Sequence, residues 1–340
     1  MRIGINPEKK NNELKTENYH RVIIPVYIPN LEDEYFKNLL DVFKLCLESL
    51  LLTVHKRTRV TIYSNNCCKE VRDYVDGKYQ EFSIIDQVFY SKENLGKINA
   101  ILASVKGNIE PLITITDADV LFKNGWQEAC ENVFIGFPEA GMVSPVPNPR
   151  LYNASNANNW FYGLFKGKLC FESVQDSEAI VRFYESLGNK ASQIKPFYLE
   201  QNLVLYNKDK SKKAIMGCGH FVATLRREVF DKGTSEPAFI KIVGGVEHKF
   251  IDIPTENLGY LRLATIENFA YHIGNKIDDW MIQEFGLLIK NNSCPSNQII
   301  YRPIGSKSLI GEFFSKIIRI KIFKKIILSR LGLISNHLMY

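Results

Sequence analysis

Two aspartates one residue apart carry the sharpest chemistry in this chain. Asp117-Ala118-Asp119 follows the β-branched run LITIT (112–116) and precedes Val120-Leu121-Phe122. Hard divalent cations take oxygen ligands, and Mg2+ or Mn2+ on a diphosphate uses one or two carboxylates beside phosphate oxygens and water. With 13 aspartates in the chain, chance alone yields about half a triplet of this form. Placement is therefore what carries the reading. A charged pair closing an apolar strand needs a cation or hydrogen-bond donors to offset its burial. Other polar groups stand just past other strand-like runs: Pro25 and Tyr27 around the end of RVIIPVYI (21–28), Ser64 and Asn65 after RVTIY (59–63), and Lys97 after the turn Asn94-Leu95-Gly96. Lys97, at a helix start, suits a phosphate or a ribose.

The elements that position these groups follow from periodicity. Apolar runs predict strands at 21–28, 59–63, 83–89, 112–116 and 140–144, with further candidates at 214–226 and 263–272. Leu39, Leu40, Phe43, Cys46, Leu47, Leu50 and Leu51 recur at helical spacing within 31–54, and shorter helices are expected at 69–79 and 97–105. Strands alternating with helices predict an α/β fold, a mostly parallel sheet with helices on both faces, whose ligands bind beyond the carboxyl ends of the strands. Three prolines at 145, 147 and 149 and an Asn-, Gly- and aromatic-rich stretch at 151–171 read as loop. Trp160, Phe161 and Tyr162 there suit either stacking on a sugar ring or a core.

Five blocks in order resemble the GT-A (Rossmann-like) nucleotide-sugar glycosyltransferases, especially the family 2 type. They are RVIIPVYIPN (21–30), SKENLGKINAILAS (91–104), TDADVLFKNGW (116–126), GCGHFVATLRREVFDKG (217–233) and GGVEHKFIDIPTENLGYLR (244–262). The resemblance spans about residues 20–275 and implies a GT-A domain over 19–290, with a nucleotide-binding half at 19–145 and an acceptor half at 146–290. It implies that Pro25, Tyr27 and Asn65 meet the nucleotide, that Lys97 and Asp117 meet phosphate or ribose, and that Asp117, Asp119 and His272 hold Mn2+ or Mg2+. Arg226 and Arg227 would hold phosphate, and Arg262 would order the acidic loop. Two departures stand out. Ser64-Asn65-Asn66 occupies the place of a base-reading aspartate. Thr255-Glu256-Asn257 occupies the place of a Glu-Asp pair whose aspartate is the general base, so Glu256 is the first candidate for that role, with Glu247 and Asp252 behind it.

Composition bounds the rest. The chain has 340 residues, 45% hydrophobic, 12% aromatic and 24% charged, which fits a globular domain and excludes a disordered or collagen-like one. Its net charge of +6 is all in residues 307–340, which carry seven cations and one anion. That stretch mixes Ile, Leu and Phe with Lys and Arg, a combination suited to the interface of an anionic membrane. The segment 291–340 is therefore expected to be a basic apolar tail, with packing on the body or on a partner subunit as its rival. Nucleic acid is not expected as a partner, since the body is neutral and carries no recognition motif. Seven cysteines without a C-x-x-C pair predict reduced thiols in a cytosolic setting. Residues 1–18 are expected to be a flexible leader without a signal peptide, and no apolar stretch long enough to span a bilayer is seen.

The expected activity is metal-dependent, inverting transfer of a sugar from a nucleotide donor to a glycan or lipid-linked acceptor, in polysaccharide or glycoconjugate synthesis at the inner membrane face. A dinucleotide dehydrogenase would need G-x-G-x-x-G after the first strand, and a P-loop enzyme G-x-x-x-x-G-K-[ST]; both are absent. The rival from another class is a catalytically silent scaffold of the same fold, bound to a membrane assembly through its tail.

Overall fold

The computed structural model describes residues 3–6, 9, 14, 17–154, 156–234, 236–241, 246–295, 299, 302, 305–318 and 320–334. The glycine pair 244–245, most of the 1–18 leader, residue 319 and residues 335–340 lie outside these.

Strands β1 (His20–Val26), β2 (Thr58–Asn65), β3 (Ile85–Ser91) and β4 (Leu112–Thr116) form a parallel group in the order β3-β2-β1-β4. Helices α1 (Leu39–Thr53), α2 (Lys69–Glu81) and α3 (Lys97–Lys106) connect them. Alternation along β1 explains why both faces are covered. Val22 and Ile24 point to α1 and its Phe43, Leu47 and Leu50, while Ile23 points the other way, to Ile98, Ile101 and Val105 of α3. Full burial of one such side chain stabilises by about 1.5–3 kcal/mol.

After β4 come β5 (Val120–Phe122), α4 (Trp126–Gly136), β6 (Ala140–Ser144), α5 (Ala157–Phe165), β7 (Lys168–Ser173), α6 (Ser177–Ser186), α7 (Phe197–Glu200), β8 (Gln201–Tyr206), β9 (Lys213–Met216) and β10 (Val222–Arg226). Then follow α8 (Glu228–Asp231), a π-helical turn (His248–Asp252), α9 (Ile253–Asn257), β11 (Leu261–Ala264), β12 (Ala270–His272), α10 (Asp279–Gly286), α11 (Leu309–Ile317) and α12 (Lys321–Arg330). The ten-stranded sheet runs β3-β2-β1-β4-β10-β6-β11-β9-β8-β7. β10 is antiparallel to β4 and β6, β11 is parallel to β6, and β7, β8 and β9 are antiparallel. β5 and β12 form a separate two-stranded sheet.

Several expectations change here for local reasons. The helix expected from residue 31 starts at Leu39, because the Asn30 side chain caps a turn by accepting from Glu32 and Asp33 N–H groups. The run 214–226 is two strands, broken at Gly217, whose φ of +106 only glycine adopts freely and where a Cβ would meet Leu151 at 2.6 Å. The run 263–272 likewise divides into the end of β11 and β12. The stretch 151–171 contains α5 and most of β7. The buried side of α5 carries Asn158 and Asn159 beside Trp160 and Tyr162, and the two asparagines bond the backbone of residues 256, 260 and 262. Trp160 and Tyr162 are core residues, Trp160 packing on Phe314 of α11 at 5.3 Å, so the sugar-stacking alternative for those two is corrected.

The described residues of the 291–340 segment pack on the body. Ile318, Leu328 and Leu333 join the core, and the carbonyls of Leu331 and Gly332 accept from Phe171 N–H and the Gln201 amide. No helix among the described residues is long and apolar enough to cross a membrane.

Candidate active site

The carboxyl ends of β1 and β4 open into a cavity of about 530 Å3, walled by Tyr27, Tyr35, Phe36, Lys97, Asp117, Asp119, Lys241 and Glu247 among others. That size falls in the range of small-molecule sites. Tyr27 and Tyr35 each meet Phe36 edge-on, at 5.7 and 5.1 Å between ring centres, making one aromatic wall. Tyr35 and Phe36 belong to residues 31–38, which are bends and turns rather than helix.

Two long-range pairings build the acidic end. β10 runs antiparallel to β4 with Val222 opposite Thr116, so the Phe221 carbonyl accepts the Asp117 N–H at 2.7 Å. β12 runs antiparallel to β5 with His272 opposite Val120, which sets His272 Nε2 3.4 Å from Asp119 Oδ2. Ligand atoms of Asp117, Asp119 and His272 all lie within 4.8 Å of one another.

The hydrogen-bond network assigns the His272 tautomer. Ser186 Oγ donates its proton to the Phe183 carbonyl at 2.8 Å, so it accepts from His272 Nδ1–H, also at 2.8 Å. The Nε2 lone pair is left facing a carboxylate. Asp119 Oδ1 is buried and has no hydrogen-bond partner. Burial pushes the Asp119 carboxyl up to about 6, against the pull that His272 exerts when protonated, and the Asp117 charge adds to the rise. In the neutral Nδ1–H tautomer the Nε2 lone pair and the Asp119 carboxylate converge on one point, which fits a divalent cation, and an imidazole held through its other nitrogen is the usual form of a metal-binding histidine.

Lys97 meets Asp117 at 2.5 Å and Glu247 at 3.5 Å. Burial disfavours its ammonium, but Asp117 and Glu247 outweigh burial and hold the Lys97 pKa above its ordinary value. Asn65 is buried, and its amide bonds Asn94 Oδ1 and Leu95 N–H at 2.9 Å each. It thereby fixes the turn through Gly96, whose φ is +83 and whose Cβ would meet the Lys241 carbonyl at 2.9 Å. So Asn65 positions Lys97 and is not itself on the cavity wall. Pro25 lies within β1, half-buried and off that wall.

Of the three candidate bases, only Glu247 lines the cavity. Glu256 is turned away: it is buried and accepts the Ala157 N–H at the start of α5, and burial raises its pKa. Asp252 is buried against Arg262 at 2.8 Å, which bears out a structural part for that arginine. Arg226 and Arg227 sit at the opposite end of β4, bonding the Ala140 and Glu110 carbonyls, so their phosphate role is corrected. Sequence reasoning missed His220 and His248, which flank Asp252; the spacing of His248 and Asp252, four apart on one helix face, was the available signal.

A Rossmann-like α/β fold with an acidic ligand site beyond its parallel strands is the class that fold and site define. No family model matches the chain, and no curated protein matches it. Among solved structures, the mannosyltransferase PcManGT from Pyrobaculum calidifontis, in complex with GDP-Man and Mn2+, is 15% identical over 73% of this chain and 54% of its own, with a TM-score of 0.41. S. aureus TarS 1–349 is 11% identical over 74% of this chain and 59% of its own, with a TM-score of 0.40. The same protein in complex with UDP is 10% identical over 78% and 62%, with a TM-score of 0.39. The chain thus spans between half and two thirds of the length of these structures. Likeness at that distance says nothing of this chain's own chemistry, which its site residues must carry.

Proposed function

We propose that the chain is a metal-dependent GT-A glycosyltransferase that moves a sugar from a nucleotide donor to a glycan or lipid-linked acceptor with inversion, in polysaccharide or glycoconjugate synthesis. The observation that carries this is the unpartnered Asp119 Oδ1 beside a His272 Nε2 lone pair, at the mouth of an aromatic-walled cavity. Asp117, Asp119 and His272 hold Mn2+ or Mg2+. A divalent ion there supplies Lewis-acid neutralisation of the charge that grows on a leaving diphosphate. Tyr27, Tyr35 and Phe36 sandwich or flank the nucleobase, whose flat faces suit aromatic rings. Lys97, held charged by Asp117 and Glu247, binds phosphate oxygens and is oriented by the Asn65-clamped turn.

Calorimetric titration with UDP-, GDP-, dTDP- and CMP-sugars, with and without Mn2+, tests this reading against Asp119→Asn. One donor class should bind with Mn2+ and lose that dependence in the folded variant. Absence of binding by every donor would overturn the assignment.

The tail supports a second part of the proposal, binding to the cytosolic face of an anionic membrane. With its inner side packed on the body, α11–α12 turns Leu309, Phe313 and Ile322 outward at 78%, 67% and 72% exposure. Lys316, Lys325 and Arg330 are exposed on the same helices. Exposed apolar groups ringed by cations suit an anionic interface. Phe313→Ser with Ile322→Ser should abolish co-sedimentation with anionic liposomes while the protein stays folded; unchanged co-sedimentation would sink it. Deleting 307–340 is the wrong test, because it would strip Ile318, Leu328 and Leu333 from the core.

A further inference from the structure

A second polar cluster lies beside the cavity. Asp252 closes the π-helical turn His248–Asp252, is 3% exposed and takes three partners. Arg262 from β11 meets Oδ2 at 2.8 Å, His220 Nε2 from the β9–β10 connection meets Oδ1 at 2.7 Å, and His248 Nδ1 meets Oδ2 at 3.1 Å. Burial opposes ionisation of Asp252, but Arg262 and His220 overcome it and hold its carboxyl below the ordinary range. The Arg262–Asp252 pair is neutral as a unit, and it orients two imidazoles that reach the surface, His220 at 31% and His248 at 42% side-chain exposure.

Both histidines adjoin cavity-building groups. His220 precedes Phe221, whose carbonyl anchors Asp117 and whose ring meets His272 at 5.4 Å. His248 follows Glu247, which lines the cavity and meets Lys97. The carboxylates are otherwise engaged: Glu247 with Lys97, Glu256 with the α5 N-terminus and Asp252 with Arg262. His220 uses its distal Nε2 on Asp252, leaving only the Nδ1 nearer its own backbone. His248 uses Nδ1, which leaves its distal Nε2 for another partner; His248 is not itself on the cavity wall but directly follows Val246 and Glu247, which are. Nδ1–H on a buried aspartate with Nε2 open is the arrangement in which a serine-protease histidine acts as base.

We propose that His248 is the general base of this site, taking the proton of the acceptor hydroxyl, and that Asp252 is its positioning residue; this rests on the glycosyltransferase reading. The acceptor oxygen bonds the anomeric carbon as the bond from that carbon to the diphosphate oxygen breaks. The breaking bond's electron pair leaves with the nucleoside diphosphate, and the hydroxyl proton passes to His248 Nε2. Asp252 stabilises the imidazolium, which then releases the proton to water. The charged and titratable neighbours of His248 are Glu247, Lys249 and Asp252 in its own turn, His220 before β10 and Arg262 on β11.

Water is an acceptor available without knowing the natural one, so the test is release of nucleoside diphosphate from UDP-glucose and GDP-mannose with Mn2+, on the full chain. His248 is half-buried, with 42% of its side chain exposed, and His248→Ala should fold normally and bind the donor unchanged. Its hydrolysis rate should fall about 100-fold, the usual scale for a lost general base, and added imidazole should restore it. Asp252→Asn should lower kcat without raising KM, and imidazole should not restore it. Wild-type hydrolysis in His248→Ala, or a loss that follows weakened donor binding and resists imidazole, would overturn the base assignment and leave the glycosyltransferase reading standing. Failure of the wild-type chain to bind either donor or hydrolyse it would overturn both.

Discussion

Two clusters of histidine and carboxylate sit at opposite ends of the parallel strands, and they differ in what their lone pairs face. His20, His55 and Glu131, like Asp117, Asp119 and His272, bring ligand atoms within 4.8 Å of one another. In the first cluster every atom has a proton partner. Gln127 donates to His20 Nδ1 at 3.1 Å, and His20 Nε2–H donates to Thr114 at 2.6 Å. The Arg57 N–H donates to His55 Nδ1 at 3.2 Å, so His55 carries its proton on Nε2 and donates it to Glu131 at 3.1 Å. The Tyr19 hydroxyl completes Glu131 at 3.0 Å. A metal there would have to displace a proton that the backbone of Arg57 holds in place. In the second cluster Ser186 puts the proton on the far side of His272, and Asp119 Oδ1 has no partner at all. Residue type is the same in both; the direction of the protons separates a core network from a ligand site.

Breaking the closed cluster should give the largest effect on stability. Glu131→Ala strands two buried imidazoles and a tyrosine hydroxyl, and the folded state should lose about 3 kcal/mol, in the range for removing one partner of a buried pair. Urea unfolding reads that loss, and Mn2+ affinity of the folded fraction should be unchanged. A fall in Mn2+ affinity would erase the distinction between the clusters.

Ser186→Ala sharpens the comparison from the other side. Without that hydroxyl His272 is free to move its proton to Nε2, and Mn2+ affinity should drop about 10-fold, as for other groups that orient metal-binding histidines. Stability should change little, and calorimetric Mn2+ titration checks both the size and the sign.

The smallest effect is on pH dependence. Burial lowers the His20 pKa from its ordinary 6.5, and burial is opposed by Glu131. The folded state therefore binds this proton less readily than the unfolded chain does. Stability should be level above about pH 6.5 and fall below it by at most about 1.4 kcal/mol per pH unit. His20→Gln should remove that slope in denaturant titrations at several pH values; a slope that survives would mean that His20 is not its source.

Much of the architecture was readable along the chain, since it rests on local pattern. β4 and β6 fall where their apolar runs begin and end, and α3 starts at Lys97 because Gly96 turns the backbone there. α5 was not readable, because two asparagines that bond the backbone of β11 and its approach share its buried side with Trp160 and Tyr162 and interrupt the apolar pattern.

The sequence by itself determined that two aspartates close an apolar strand and that a lysine starts the helix beside them, because strand and turn preferences act over a few residues. The packing of the 307–334 segment, the choice of Glu247 over Glu256 at the cavity and the proton on His272 were decided only by the tertiary structure. Each depends on partners far away in the chain, such as α5 under α11, α5 against β11 or β12 beside β5, and local preference carries no information about such contacts.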